Sequence, residues 1–345
     1  MSESVKMKKV LVTGGLGYIG SHTAVALIES GYEVIIIDDL SNASIEVLSG
    51  IERITGVLPE FHELDLCDAH QLSSFFERQP DLAQVIHFAA SKAVGESVER
   101  PLRYYENNLV GLINLLKNLQ GRTGVSVIFS SSCTVYGQAD QMPITEQAPI
   151  KPAESPYGNT KQIGEEILHD VVHADPNVSV VALRYFNPIG AHESAEIGEL
   201  PIGVPQNLVP FITQTAYGIR ERLSVFGNDY PTADGTCIRD YIHVVDLANA
   251  HVSALERLIQ RKQKQRFEVF NVGTGKGSSV LEVIHSFERV TGQALPYHFA
   301  ERRPGDVVEA YADTTRANAE LNWKAVHSLD DALRSAWMWE QKIRT

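Results

Sequence analysis

Along the first half of the chain, short apolar runs rich in β-branched residues alternate with longer segments whose apolar residues recur every three or four positions. The runs are Val10–Thr13, Val34–Asp38, Phe61–Leu64, Val85–Phe88, Val127–Ser130 and Val178–Leu183. Near-continuous hydrophobicity suits strands buried on both faces, and helical segments between successive strands make those strands parallel. Helical spacing occupies Ile19–Glu29, which ends in Ser30-Gly31, then Tyr104–Gln120 and Tyr157–His173. The last begins after a capping Ser155, with Pro156 at the first helical position. The pattern predicts an α/β fold built on a Rossmann-type doubly wound parallel sheet with helices on both faces.

After about residue 186 the pattern loosens into Pro/Gly-rich loops over 188–210 and 227–235, around a helix near Phe211–Gly218. Helices at Asp246–Lys264, Val280–Thr291, Thr314–Leu321 and Leu329–Gln341 then alternate with strands at Phe267–Val272 and Pro296–Phe299. This predicts a Rossmann domain over residues 1–185 and a smaller C-terminal mixed α/β domain over 186–345, some of whose segments return to the first. A length of 345 residues and 43% hydrophobic content suit two units of ordinary size.

The formal net charge of -13 argues against a general attraction to nucleic acid or an anionic membrane. A small anionic ligand needs only a few local arginines. Cys67, Cys133 and Cys237 are odd in number and widely spaced, so they form neither a disulfide framework nor a CxxC metal set, and a reducing cytoplasm fits them. The segment MSESVKMKK runs into Val10–Val12 without a signal-peptide core, and no apolar run reaches the roughly 18 residues of a membrane span. A soluble, unprocessed protein is expected.

Two constellations carry chemistry. The first is Thr13-Gly14-Gly15-Leu16-Gly17-Tyr18-Ile19-Gly20, between an expected strand and an expected helix, with Gly14, Gly17 and Gly20 spaced GxxGxxG. Glycine permits a tight turn and close approach of a pyrophosphate, whose charge the free N–H groups of a helix start favour. The second strand ends in Asp38, eighteen residues past Gly20, where a carboxylate can accept hydrogen bonds from an adenosine ribose. Asp38 and Asp39 would repel a ribose 2′-phosphate, so NAD is favoured over NADP. Asp65, at the end of the third strand, can meet the adenine amino group or cap the helix expected at Ala69–Glu77.

The second constellation joins Ser130-Ser131-Ser132, at the end of the fifth strand, to Tyr157 and Lys161 on the following helix. Residues four apart share a helix face. A tyrosine with its ordinary pKa near ~10 becomes a base at neutral pH only where positive charge stabilises phenolate, and Lys161 with an oxidised nicotinamide supplies that charge. Ser132 then orients the substrate hydroxyl that loses its proton. No HExxH motif is present and no GxSxG surrounds Ser132, so neither zinc nor nucleophilic-serine chemistry is indicated, and no metal is expected.

With these residues in place, the chain resembles the extended short-chain dehydrogenase/reductase superfamily and, more closely, the UDP-glucose (UDP-galactose) 4-epimerase family. The stretches that carry the likeness are TGGLGYIGSHT, HFAASKAVGESV, YYENN, SSSCTVYG, SPYGNTK, RYFNPIGAH, FGNDYPTADGTCIRDYIHV and RRPGD, spread through nearly the whole chain. The resemblance implies a cytoplasmic, homodimeric isomerase that acts on a UDP-sugar. Tyr157, assisted by Ser132, takes the C4-hydroxyl proton while the C4 hydride moves to NAD, and the 4-keto sugar turns over and is reduced on its other face. It further implies that Tyr18, Ile19, Asp38, Asn42, Asp65, Leu66, Phe88, Ala89, Lys92, Asn107 and Phe186 neighbour the cofactor, with Lys161 on the nicotinamide ribose. Asn187, Asn207, Leu208, Val225, Phe226, Arg239, Arg303 and Asp306 fall on the substrate side. Arg239 and Arg303 suit a diphosphate in charge and fork geometry.

Departures are few. Asp39 and Ala43 stand where the family often has asparagine and serine, and Cys133 follows Ser132 where alanine is common. A related dehydratase would carry an acidic pair after the strand-end Ser or Thr, where this chain has Cys133-Thr134, and a non-catalytic NAD-sensing protein would lack the Tyr/Lys pair. By resemblance Ala310 borders the sugar's C2 substituent, where members with tyrosine favour unsubstituted hexoses. Alanine there predicts room for an acetamido group, unless Tyr311 faces the pocket instead.

Overall fold

The computed structural model describes residues 8–303 and 306–345. The N-terminal stretch read above for a signal peptide lies mostly outside the described residues, as do Pro304 and Gly305 of the RRPGD motif. A seven-stranded sheet forms the framework, in the spatial order Phe267–Val272, Val178–Tyr185, Val125–Ser132, Gln84–His87, Lys9–Thr13, Glu33–Asp38, Glu60–Glu63. Lys9–Thr13 pairs in parallel with both Glu33–Asp38 and Gln84–His87. The order reverses at Lys9–Thr13, and the carboxyl ends at such a reversal are where open α/β sheets bind ligands.

The chain forms two compact units that interleave in sequence. The first takes residues 1–130, 155–182 and 251–268, and the second takes 131–154, 183–250 and 269–345. Three strands of the large sheet therefore change unit along their length or just at their end.

Within the first unit, Val10, Leu11, Val12, Ile35, Ile36, Val85, Ile86, Val127 and Ile128 are all fully buried, as strands covered on both faces must be. The helix Tyr18–Glu29 follows the first strand, and Pro156–Ala174 starts on the expected cap, Ser155 Oγ accepting Gly158 N at 3.2 Å. The apolar periodicity over Tyr104–Gln120 falls on a continuous helical run with helical backbone at both of its junctions. It resolves into Pro101–Tyr105, a π-helical turn Glu106–Val110 and Gly111–Leu119.

The second unit has its own core, in which Ile212, Val225, Tyr241, Ile284, Phe287 and Leu333 meet. Short strands frame its loops. Ile238–Arg239 pairs with Ser278–Ser279 and Glu309–Ala310, Leu223–Phe226 with Tyr297–Ala300, and Asn187–Ile189 with Tyr241–His243. No helix among the described residues is long and apolar enough to cross a membrane.

Candidate active site

In the first unit, the glycine-rich turn is shaped by the backbone. Gly14 has φ +67°, donates its N–H to Ile37 O at 2.7 Å, and would place a Cβ 2.7 Å from Ala89 N. A Cβ on Gly20 would overlap Gly14 O. Gly17 is less crowded, its Cβ meeting only Gly14 O at a tight 3.2 Å. Gly17 is the N-cap of Tyr18–Glu29 and makes no side-chain cap, and the start of a helix favours an anionic partner. The turn leaves its open side to a ligand, and the residues present fit the pyrophosphate of a dinucleotide.

Asp38 stands beside the turn, its Oδ2 accepting Leu16 N and its Oδ1 accepting Leu40 N, each at 3.0 Å. Burial raises its pKa, and those two N–H groups oppose the rise. A carboxylate has lone pairs left for ribose hydroxyls after two such bonds. Asp39 is exposed and turns its carboxylate to Ser41 N and Oγ, and Asn42 is exposed beside it. Asp65 does not cap the next helix. It accepts Cys67 N at 2.8 Å, while Asp68 is the N-cap, accepting His70 N and Gln71 N. Leu66 is buried, so any contact it makes to a cofactor is through its main chain.

Across the reversal point, Phe88 N and Ala89 N donate to Thr13 O at 2.9 and 3.1 Å, and the Phe88 ring lies 4.7 Å from that of His251. Lys92 holds its ammonium 5.9 Å from the centroid of Tyr18, which starts the helix with Ile19. Asn107 sits in the π-helical turn, a feature that often marks functional sites, and donates to Ser91 Oγ at 3.3 Å. Its neighbour Asn108 was not singled out from sequence. Buried, it donates to Ser91 O and to Thr160 Oγ1, both at 3.0 Å, and so fastens the Tyr157 helix to the loop after the fourth strand.

Tyr157, 8% exposed, and Lys161, 4% exposed, lie on the same side of that helix, the ammonium 5.8 Å from the tyrosine centroid. Lys161 Nζ donates to Ser130 O at 2.8 Å and sits 5.1 Å from the Phe129 centroid. Burial pulls its pKa down to about 8, against a smaller upward pull from Glu165, so at pH 7 it remains mostly a cation. His87 beside it is held neutral, its pKa lowered to about 3 by burial and then by Lys161, and it shares a 2.8 Å hydrogen bond with Thr13 Oγ1. Lys161 thus sits as a buried cation beside the Tyr157 ring.

The second unit carries Ser132 and the expected substrate residues. Ser132 Oγ accepts Thr134 N at 3.2 Å and caps the 3-10 turn Cys133–Tyr136. Burial pushes the Cys133 thiol up to about 11, which makes it an apolar filler here. Phe186 is buried and donates its N–H to Val272 O at 3.2 Å. Asn187 is exposed, its N–H bonded to Asp240 O at 2.9 Å.

Phe226, Arg239, Arg303 and Asp306 come together. Asp306 lies between the arginines, 3.1 Å from Arg239 Nη2 and 3.4 Å from Arg303 Nε, while the Arg303 guanidinium lies 4.6 Å from the Phe226 centroid. Asp240, fully buried, accepts Thr274 N and Oγ1, Gly275 N and Ala312 N, and so anchors the segment that presents Arg239. Val225, expected on the substrate side, can meet a ligand only through its main chain. It is 1% exposed in the core, because alternate residues of Leu223–Phe226 face opposite ways, and its side chain is not a ligand group. Leu208 also packs against that core. Asn207 donates to Glu199 Oε1 at 2.6 Å, and Glu199 O accepts Trp339 Nε1 at 2.9 Å. Glu199 carries no motif signal, and only the folded loop makes it the partner of Asn207. Ala310 is buried with Val135, Tyr136 and Phe186, whereas Tyr311 lies on the side of Gly277.

The chain matches the family model described as GDP-mannose 4,6 dehydratase over residues 11–336. It is 50% identical over 331 residues to a UDP-glucose 4-epimerase of Bacillus subtilis (strain 168), covering 96% of each chain. Among solved structures it is similar to the UDP-glucose-4-epimerase from Stenotrophomonas maltophila with bound NAD and formylated UDP-arabinopyranose, with TM-score 0.93 and 45% identity over 98% of this chain and 99% of that one. It is likewise similar to the UDP-glucose 4-epimerase from Bifidobacterium longum in complex with NAD+ and UDP, with TM-score 0.92 and 46% identity over 97% and 98%.

Proposed function

The chain belongs to the UDP-glucose 4-epimerase family, and from that premise we propose that it interconverts UDP-glucose and UDP-galactose as an NAD-dependent isomerase. The observation that carries the reading is the buried Tyr157/Lys161 pair, in the same unit as a glycine-rich turn that fits a dinucleotide. NAD, which the glycine-rich turn and Asp38 would hold, would supply the acceptor and donor for the C4 hydride of the sugar. The protein does the rest. Tyr157 removes the C4-hydroxyl proton and gives it back, the Lys161 charge favours the phenolate form, and Ser132 orients the hydroxyl. Arg239 and Arg303 hold the diphosphate, with Asn187 and Asn207 as further polar partners, while the 4-keto sugar turns its other face to the reacting centre. The first unit is the cofactor half and the second the sugar-nucleotide half. Ala310 leaves room for the N-acetylated pair, UDP-GlcNAc and UDP-GalNAc.

Purified protein given UDP-galactose without reductant is expected to form UDP-glucose, with NAD and not NADP restoring activity to stripped enzyme. No UDP-glucose would end the reading, and equal restoration by NADP would remove the role given to Asp38.

A homodimer accompanies this function. Val98 is 61% and Leu102 80% exposed, with Val94, Val110 and Ile113 exposed along the same stretch of helices, an apolar surface suited to a second copy. Light scattering is expected to give twice the chain mass, and Val98→Asp with Leu102→Asp to halve it. A single-chain mass for the native protein at micromolar concentration rejects the dimer. Three cysteines without a disulfide, Cys67, Cys133 and Cys237, support cytoplasmic residence.

A further inference from the structure

Asn207 is the N-cap of the helix Leu208–Ala216, in extended conformation with φ -91° and ψ 149°. Asparagine at this position ordinarily turns its amide oxygen back onto an N–H of the first turn. Pro210, the third residue of the helix, has no N–H, so the natural target is Val209 N. Among the described residues Asn207 makes no such cap. Its side chain goes instead to Glu199, Nδ2 donating to Oε1 at 2.6 Å. A carboxylate only accepts hydrogen bonds, so the amide nitrogen must face Glu199 and the amide oxygen must face away from it.

Glu199 stands on a firmly held loop. Its main-chain O accepts Trp339 Nε1 at 2.9 Å, and a Cβ on Gly198 would come 2.4 Å from the Trp339 ring. Gly198 bridges to Ala191, whose N–H donates to Ser335 Oγ at 3.0 Å, and Glu196 pairs with Lys342. Ser335, Trp339 and Lys342 are spaced four and three apart on Leu329–Lys342, so one face of that helix fastens the loop. A small cavity lined by Glu199, Val209, Pro210 and Trp339 sets the loop against the first turn of Leu208–Ala216. The bond from Trp339 uses the main chain of Glu199, and the carboxylate takes Asn207.

We propose that Glu199 is a positioning residue for the sugar-nucleotide: it draws the Asn207 amide off the helix start and fixes which way it faces, so that its second N–H and its oxygen meet the nucleotide in one orientation. This assignment rests on the UDP-sugar reading, in which Asn207 is a partner of the ligand, and adds to it the residue that aims Asn207. Asn207 is exposed, so a ligand can reach it, and without Glu199 its amide is released to rotate or to cap Val209 N. Binding must then re-order the side chain, and affinity falls by that cost. Charge alone acts the other way, because a carboxylate near a diphosphate repels it and its removal tightens binding.

The test is calorimetric titration with UDP of NAD-loaded native protein, Glu199→Ala, Glu199→Leu, Asn207→Ala and each Glu199 variant combined with Asn207→Ala. Glu199→Ala should bind UDP about fivefold more weakly, and Asn207→Ala should lose at least as much. Added to Asn207→Ala, either Glu199 change should cost little more, because Glu199 acts through Asn207. Glu199→Leu keeps the bulk of the side chain without its acceptor and should match Glu199→Ala, so either one decides if the other does not fold. UDP affinity equal to native or tighter in the Glu199 variants overturns the assignment, and so does native affinity in Asn207→Ala. A Glu199 loss that persists in full beside Asn207→Ala also overturns it, since a residue that only shapes the loop would act that way. Native protein that binds no UDP would overturn the UDP-sugar reading, and this assignment with it.

Discussion

Tyr157→Phe is expected to lower turnover of UDP-galactose by about 10²–10⁴-fold while the protein keeps its NAD, since general acid-base assistance is worth that much. The substitution removes one oxygen and keeps the ring, which is 8% exposed on a helix whose cap at Ser155 is independent of it. Lys161 stays where it is, because its ammonium is held by Ser130 O and lies near Phe129. The glycine-rich turn is set by Ile37 O and Ala89, and Asp38 by Leu16 and Leu40. The cofactor contacts therefore survive a change that deletes the base. Turnover and cofactor content of the same preparation are the two measurements. Near-native turnover would sink the assignment, and loss of NAD along with turnover would mean that Tyr157 holds the cofactor more than it serves the reaction.

The features that could be read from sequence are those whose chemistry is local. The glycine spacing, Asp38 at a strand end and the four-residue interval from Tyr157 to Lys161 are fixed by a strand-turn-helix or by one helix face. The strand Phe267–Val272 and the helix Val280–Thr291 fall at the expected positions, the latter closed by Gly292 in the left-handed conformation. The Tyr104–Gln120 segment reads as one helix because a π-helical turn inserts only a slight slip into the apolar period, too small to break it over five residues. Asp65 and Asp68 are equally good caps by residue type, and only the backbone decides that Asp68 takes the position.

What the sequence does not disclose depends on distant segments meeting. Glu199 becomes the partner of Asn207 because Trp339 fixes its turn, 140 residues away in sequence. Asp306 has Arg303 three residues before it, but its other arginine, Arg239, comes from the distant strand Ile238–Arg239. The strands Ile238–Arg239, Ser278–Ser279 and Glu309–Ala310 are two residues long, below the length at which alternation gives a signal, and they exist because the loops around them are held by Asp240.

Ala310→Tyr is expected to lower kcat/KM for UDP-GalNAc relative to UDP-galactose by about 10–200-fold, the range a steric change in a pocket commands. The short strand that carries Ala310 pairs with Ile238–Arg239, so residue 310 lies in register beside Arg239. Its methyl joins Val135 and Tyr136 of the segment following Ser132, and Tyr311 points instead toward Gly277. The alternating sides of the strand thus put alanine, not tyrosine, on the side of the Ser132 turn. An acetamido group at C2 must fit before and after the sugar turns over, and a wall at 310 opposes at least one of the two orientations. A larger side chain among Val135, Tyr136 and Phe186 also risks overpacking, which costs about 1–3 kcal/mol of stability. That cost falls on both substrates alike, so the ratio of the two kcat/KM values isolates the pocket. Native enzyme that ignores UDP-GalNAc, or a ratio that Ala310→Tyr leaves unchanged, would show that the C2 substituent is accommodated elsewhere.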